Sequence, residues 1–142
     1  MDTVFIVVPA AVAALVSFIF GFLWYGPLFG KSWMKYAGVK KRRAKNMALR
    51  GVAGYFSSFA IALLLWFATS TLSSFGSPSV SEIMTVGSFI GVLVWAGFFV
   101  PLNLGPVLWQ NKSGWLFAIN AAHWLIAIQV MMIVASLMSL AF

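Results

Sequence analysis

Cysteine is absent from the 142-residue chain, which removes disulfides, thiolate chemistry and cysteine-based zinc sites. Charge is nearly as scarce. Asp, Glu, Lys and Arg make up 8% of residues, where a soluble domain carries about a quarter. The acids are only Asp2 and Glu82, and the one histidine is His123. Clustered metal ligands therefore have no source within one chain. A Ser-His-Asp triad lacks a buried acid to orient its histidine. No glycine-rich phosphate cradle is present, and no cofactor motif is found.

What fills the chain instead is apolar. Hydrophobic residues make up 63%, with a mean hydropathy of +1.01. A 15.5 kDa globule in water has too little interior to hide so much apolar surface. Composition thus excludes a soluble enzyme, a disordered chain and a nucleic-acid module, and it places the protein in lipid.

A helix needs about 20 apolar residues to cross the hydrocarbon core. Four stretches qualify: 4–25, 51–72, 83–104 and 115–139. None alternates as an outer-membrane strand would. The expected fold is an all-α, polytopic transmembrane four-helix bundle forming a single integral membrane domain. Met-Asp-Thr lacks the basic start of a secretory signal, and the first span runs into Trp24-Tyr25-Gly26-Pro27 rather than a small-residue cleavage site, so this span is expected to be retained.

Basic residues set the expected orientation. Eight of the nine lie between the first two spans, and Lys112 lies between the last two. Both loops fall on one side, which the positive-inside rule makes the cytoplasm, with both termini outside. An inner (plasma) membrane of a bacterium or archaeon is the default setting. Trp24, Tyr25, Trp33, Tyr36, Trp109 and Trp115 cluster at the same ends, where amphipathic rings suit headgroup depth.

The loop 26–50 is too long for a turn. Lys31 to Ala37 mixes aromatic, apolar and basic residues as a short interfacial helix would, with Gly38 as its stop. Lys40, Lys41, Arg42, Arg43 and Lys45 follow, five cations in six positions. Beside a membrane they are expected to contact anionic headgroups, at about 1 kcal/mol per charge. Topology alone requires cations there, so no nucleic-acid partner is inferred. On the other side, Ser81 and Glu82 read as the start of the third helix.

An internal echo links Gly26-Pro27 with Lys31-Ser32-Trp33 to Gly105-Pro106 with Lys112-Ser113-Gly114-Trp115. It suggests two parallel helical hairpins related by an axis along the membrane normal. Small residues stripe each span: Ala13, Ser17 and Gly21; Gly54, Ser58 and Ala62; Gly87 and Gly91; Ala118 and Ala122. Such faces let helices approach closely within a subunit or across a homodimer. Pro101 is expected to kink or break the third helix.

No Asp, Glu, Lys or Arg lies inside those spans. The remaining polar set is Asn103, Asn120 and His123, with Trp124 beside them. Asn120 and His123 share a helical face, and His123 lies on the order of 12 Å along the helix from Trp115. Interhelical hydrogen bonding is the plain reading of this set. A small ligand pocket, or a lone histidine on a tetrapyrrole, is the functional one.

The block from Phe20 to Trp33, with Trp24, Tyr25, Pro27, Gly30, Lys31 and Trp33 as its marked positions, resembles a family of small membrane proteins, the domain-of-unknown-function family numbered 1761. A second block, Trp115 to His123, resembles the start of that family's fourth helix and marks Asn120 and His123. The resemblance covers essentially the whole chain. It implies a four-span membrane protein and brings no activity with it. The expectation is a non-catalytic integral membrane protein, structural or accessory. The alternative is a small homodimeric carrier of a neutral or hydrophobic ligand, using Asn103, Asn120 and His123.

Overall fold

The computed structural model describes residues 4–39, 46–73 and 79–139. The cationic run Lys40, Lys41, Arg42, Arg43 and Lys45 lies outside the described residues, as does Asp2. The elements are α1 (Val4–Leu23), α2 (Gly30–Ala37), α3 (Met47–Ser73), α4 (Val80–Val94), α5 (Val100–Trp109) and α6 (Gly114–Ser139). A π-helical turn, Trp24–Leu28, extends α1, and a second, Trp95–Phe99, joins α4 to α5. Four continuous helical stretches are long and apolar enough to cross a membrane: Ile6–Leu28, Ala48–Ala68, Val80–Trp109 and Gly114–Met138. The chain is an all-α four-helix bundle and an integral membrane protein.

The bundle closes as a ring, with α1 packed between α3 and α6, and α4 between α6 and α3. α3 and α6 also approach across the diagonal. Consecutive spans are neighbours, as two hairpins require. Small side chains permit the close approach. Ala10, Ala13 and Ala14 of α1 meet Ala62 and Leu65 of α3 and Ile128, Met131 and Met132 of α6 in one core. Ser17 and Ser58 continue it, both buried. Gly91 lets α4 close on α6, since a Cβ there would stand 2.8 Å from Ile128 Cγ2. On α6 the small residues turned inward are Ala121, Ala127, Ala135 and Ser136. Ala118 is exposed, so the expected Ala118–Ala122 stripe is not the buried seam. Large apolar side chains such as Phe22, Phe56, Phe67, Phe89 and Leu102 face outward, as suits a surface solvated by lipid.

Several ends differ from the sequence expectation for local reasons. The third span starts earlier because Ser79, not Ser81, caps it. The Ser79 N–H donates to Glu82 Oε2 at 2.7 Å and the Glu82 N–H donates back to Ser79 Oγ at 3.4 Å, a reciprocal capping box. At its other end the helix runs through Gly105-Pro106 to Trp109. Pro101 does not break it, because the π turn just upstream takes up the crowding around the Gly97 carbonyl. The structural counterpart of Trp24-Tyr25-Gly26 is therefore Trp95-Ala96-Gly97. With the third span longer, Gly105-Pro106 is not an exit signal. Helical residues also include Arg50 and Glu82, each within the terminal turns.

α2 begins one residue before the sequence suggested and ends where it should. Gly38 has φ 71°, its N–H donates to Lys35 O at 3.3 Å, and the Val39 N–H donates to Met34 O at 3.0 Å. This is a Schellman stop, and glycine adopts its left-handed conformation without a Cβ clash. Lys112, from the α5–α6 connection, donates through Nζ to Ala37 O at 3.1 Å. A cation there also complements the negative end of the α2 dipole.

Candidate functional site

The marked residues converge where α1, its π turn, α2 and the first half of α6 meet. Pro27 has no N–H for the Leu23 carbonyl. The chain widens by one residue, and the Phe29 N–H reaches back five residues to Trp24 O at 2.8 Å. Gly30 then allows the sharp passage into α2: a Cβ there would lie 2.5 Å from Tyr25 O. The turn swings three aromatic side chains onto α6. Trp24 donates its indole N–H to Ile119 O at 3.2 Å. Tyr25 Oη donates to Asn120 Oδ1 at 3.0 Å, and Trp33 Nε1 donates to the same oxygen at 3.1 Å. Opposite, Trp95 of the second π turn donates to Ala121 O at 2.7 Å. Two tryptophans from matching turns thus grip α6 on either side of Asn120.

Trp24 is therefore a buried packing residue rather than a headgroup anchor, while Trp109 and Trp115 stay exposed. Lys31 and Pro27 are exposed. Lys31 takes no part in the hydrogen bonds of this clasp, and Pro27 acts through the backbone.

His123 lies one helical turn further along α6. Phe20 stacks on its ring at 5.5 Å between centroids and 8° between planes. Tyr25 stands at 4.7 Å and Trp24 at 6.0 Å. The residue is 6% exposed, and neither ring nitrogen has a hydrogen-bond partner among the described residues. Nε2 looks at Gly21, where a Cβ would stand 3.3 Å away. The imidazole borders a cavity of ≈ 210 Å³ between α1 and α3, with Ser17, Phe18, Gly21, Tyr25 and Ser58 on its walls. The rings packed around His123 and the Gly21 backbone before Nε2 leave no room for an axial macrocycle, so a tetrapyrrole does not fit this histidine.

The other expected members sit elsewhere. Asn103 turns back on its own helix, donating to Phe99 O at 2.8 Å, and so does not complete a set with Asn120 and His123. Trp124 packs on the second π turn, with its ring 4.5 Å from that of Phe99, and meets the His123 ring edge-on at 5.2 Å. Asn120 and His123 do share the α1 side of α6, but the Asn120 side-chain oxygen is bonded twice and the His123 nitrogens are not bonded among the described residues. Sequence reasoning treated Ser17, Gly21 and Ser58 only as packing residues and passed over Trp95. The repeated Trp-x-Gly at Trp24 and Trp95 is the signal that finds the second turn.

The family model described as Protein of unknown function (DUF1761) matches residues 8–136. The chain belongs to this family. Comparison with curated proteins and with solved structures gives no match. In this DUF1761 protein the match spans every contact of the clasp and the His123 cavity. A family of unknown function carries no reaction over to these residues, and their chemistry has to be read from their geometry.

Proposed function

We propose that the protein is a non-catalytic integral membrane protein, structural or accessory in role, which holds a basic amphipathic segment against one membrane surface. The observation that carries this reading is the clasp. Its polar groups satisfy one another: Tyr25 and Trp33 both donate to Asn120, and Trp24 donates to the α6 backbone. Groups so paired fix structure and leave nothing poised for proton transfer. Their effect is to hold α2 to the bundle, with Lys31 and Lys35 exposed on it; the cationic run follows in the sequence.

In this reading the surface is the cytoplasmic face of a bacterial or archaeal inner membrane, and the partners are anionic headgroups. The positive-inside asymmetry of the sequence supports it. A homodimer or larger membrane complex would form through the outward helix faces.

Because the chain has no cysteine, one label can be placed at Lys35 by Lys35→Cys. In liposomes the label should sit at headgroup depth, and deeper with phosphatidylglycerol than with phosphatidylcholine alone. The liposomes should show no solute flux above protein-free ones. A label in bulk water in both lipids, or protein-dependent flux or turnover, would overturn the reading. One observation favours a carrier as the second reading: the unpartnered His123 beside an open cavity.

A further inference from the structure

The Ala118–Ala122 stripe is left out of the bundle core, and it lines a groove instead. This groove of ≈ 380 Å³ lies between α2 and α6, with Phe29, Ser32 and Tyr36 on one side and Trp115, Ala118 and Ala122 on the other. Ser32 and Tyr36 are one turn apart on α2, and Trp115, Ala118 and Ala122 share a face of α6. Ala118 is exposed and Trp115 is 66% exposed, so the groove opens outward rather than into the bundle. The two alanines, with single methyl side chains, leave the space that larger residues would fill.

Depth and polarity along the groove select its occupant. From Trp115 to Ala122 the α6 wall runs about 10 Å, all of it inside the Gly114–Met138 span, so this part meets hydrocarbon. α2 climbs beside it, from Trp33 bonded to Asn120 up to Ala37 bonded to Lys112 of the α5–α6 connection. Tyr36 and Lys35 therefore stand at the outer end, level with the start of the span. Lys35 Nζ lies over the Tyr36 ring, 5.4 Å from its centroid, which puts a cation on the rim. Lys31, Arg50 and Lys112 belong to the same end of the bundle. Glu82, the one acid among the described residues, is at the opposite end, in the first turn of α4. A rim with cations and no acid selects an anion, and the apolar wall beneath it selects a hydrocarbon chain. An anionic phospholipid carries the two in that order.

We propose that the α2–α6 groove is a binding site for one anionic phospholipid, with an acyl chain along Trp115, Ala118 and Ala122 and the phosphate beside Ser32, Tyr36 and Lys35. This rests on the reading that α2 lies against a surface of anionic headgroups, and it narrows that contact to one discrete site.

Native mass spectrometry of the detergent-purified chain, titrated with phosphatidylglycerol or phosphatidylcholine, counts bound lipids directly. One phosphatidylglycerol per chain should bind saturably, ahead of any further lipid and more tightly than phosphatidylcholine. Ala118→Leu, which fills the exposed groove without touching the core, should weaken that step about tenfold. Lys35→Gln should cut the preference for phosphatidylglycerol about fivefold and leave phosphatidylcholine binding as it was. Leu64→Ala, on the outward face of α3, should change neither. Thermal melts by circular dichroism establish that each variant is folded, and Lys35→Gln carries the test if Ala118→Leu does not assemble. Lipids that add without a distinct first step, equal binding of the two lipids, or an unchanged affinity in a folded Ala118→Leu would overturn the proposal. So would an equal loss in Leu64→Ala, soluble glycerol phosphate competing as well as the lipid, or a second copy of the chain taking the groove in its place. The Lys35→Cys depth measurement separates the two claims. A label that deepens with phosphatidylglycerol, without a one-lipid step, defeats this inference alone. A label in bulk water in both lipids defeats the reading beneath it.

Discussion

Replacing Asn120 with leucine is the most informative single perturbation of the clasp. The amide oxygen accepts from Tyr25 Oη at 3.0 Å and from Trp33 Nε1 at 3.1 Å. Leucine keeps the γ-branched shape, though it is bulkier, and removes the acceptor for both. A typical hydrogen bond contributes about 0.5–1.5 kcal/mol net, and those between membrane helices average about 0.6 kcal/mol. Two bonds therefore predict a loss of roughly 1–3 kcal/mol in Asn120→Leu. The two donors are not equivalent. A phenol hydroxyl can rotate toward water or another acceptor, whereas an indole N–H is fixed by its ring. Trp33 should thus account for more of the loss than Tyr25. Reversible unfolding in mixed micelles, followed by circular dichroism, measures the change for Asn120→Leu, Trp33→Phe, Tyr25→Phe and the doubles. Coupling of about 0.5–1.5 kcal/mol is expected between Trp33→Phe and Asn120→Leu. Additive effects, or an Asn120→Leu as stable as the parent, would refute the reasoning.

Other substitutions test neighbouring parts of the account by the same unfolding assay. Gly30→Ala places a methyl 2.5 Å from the Tyr25 carbonyl, and overpacking against backbone should cost about 2–3 kcal/mol and displace α2. Gly91→Ala drives a methyl to 2.8 Å from Ile128 Cγ2; a loss of about 1–3 kcal/mol is expected, with a value near zero contradicting the close α4–α6 approach. Trp95→Phe keeps an aromatic ring but removes the 2.7 Å bond to Ala121 O, for about 0.5–1.5 kcal/mol. Gly38→Ala forces a Cβ into a φ of 71° and should fray the end of α2 at about 1 kcal/mol, seen as faster amide exchange at Val39.

Much of this architecture is legible in the sequence, because lipid leaves a chain few options. Uncharged apolar runs of about 20 residues in this setting fold as helices. The amphipathic Lys31–Ala37 stretch with Gly38 after it follows from composition and turn chemistry alone. The π turns are different. Pro27 and Pro101 call for them, but a proline alone does not choose a π turn over a kink, and the indole contacts with the α6 carbonyls that accompany both turns leave only a Trp-x-Gly trace. Asn103 illustrates the same limit. Counting rise along a helix gives its depth but not its face, and its side chain bonds its own helix. For His123, depth and face are both readable, yet the missing partner is not, since that requires the positions of every neighbour. Ser79 is an avoidable case: the Ser-x-x-Glu spacing to Glu82 marks the cap without a structure.

The central claim is that α2 is held to the bundle by the Asn120 clasp. Spin labels at Lys35→Cys and Gln110→Cys, both exposed positions on that end of the molecule, report it directly as a distance distribution in nanodiscs. A single narrow distribution in the parent that broadens when Asn120→Leu is added is the predicted result. A distribution already broad in the parent, or one that Asn120→Leu leaves unchanged, would contradict it.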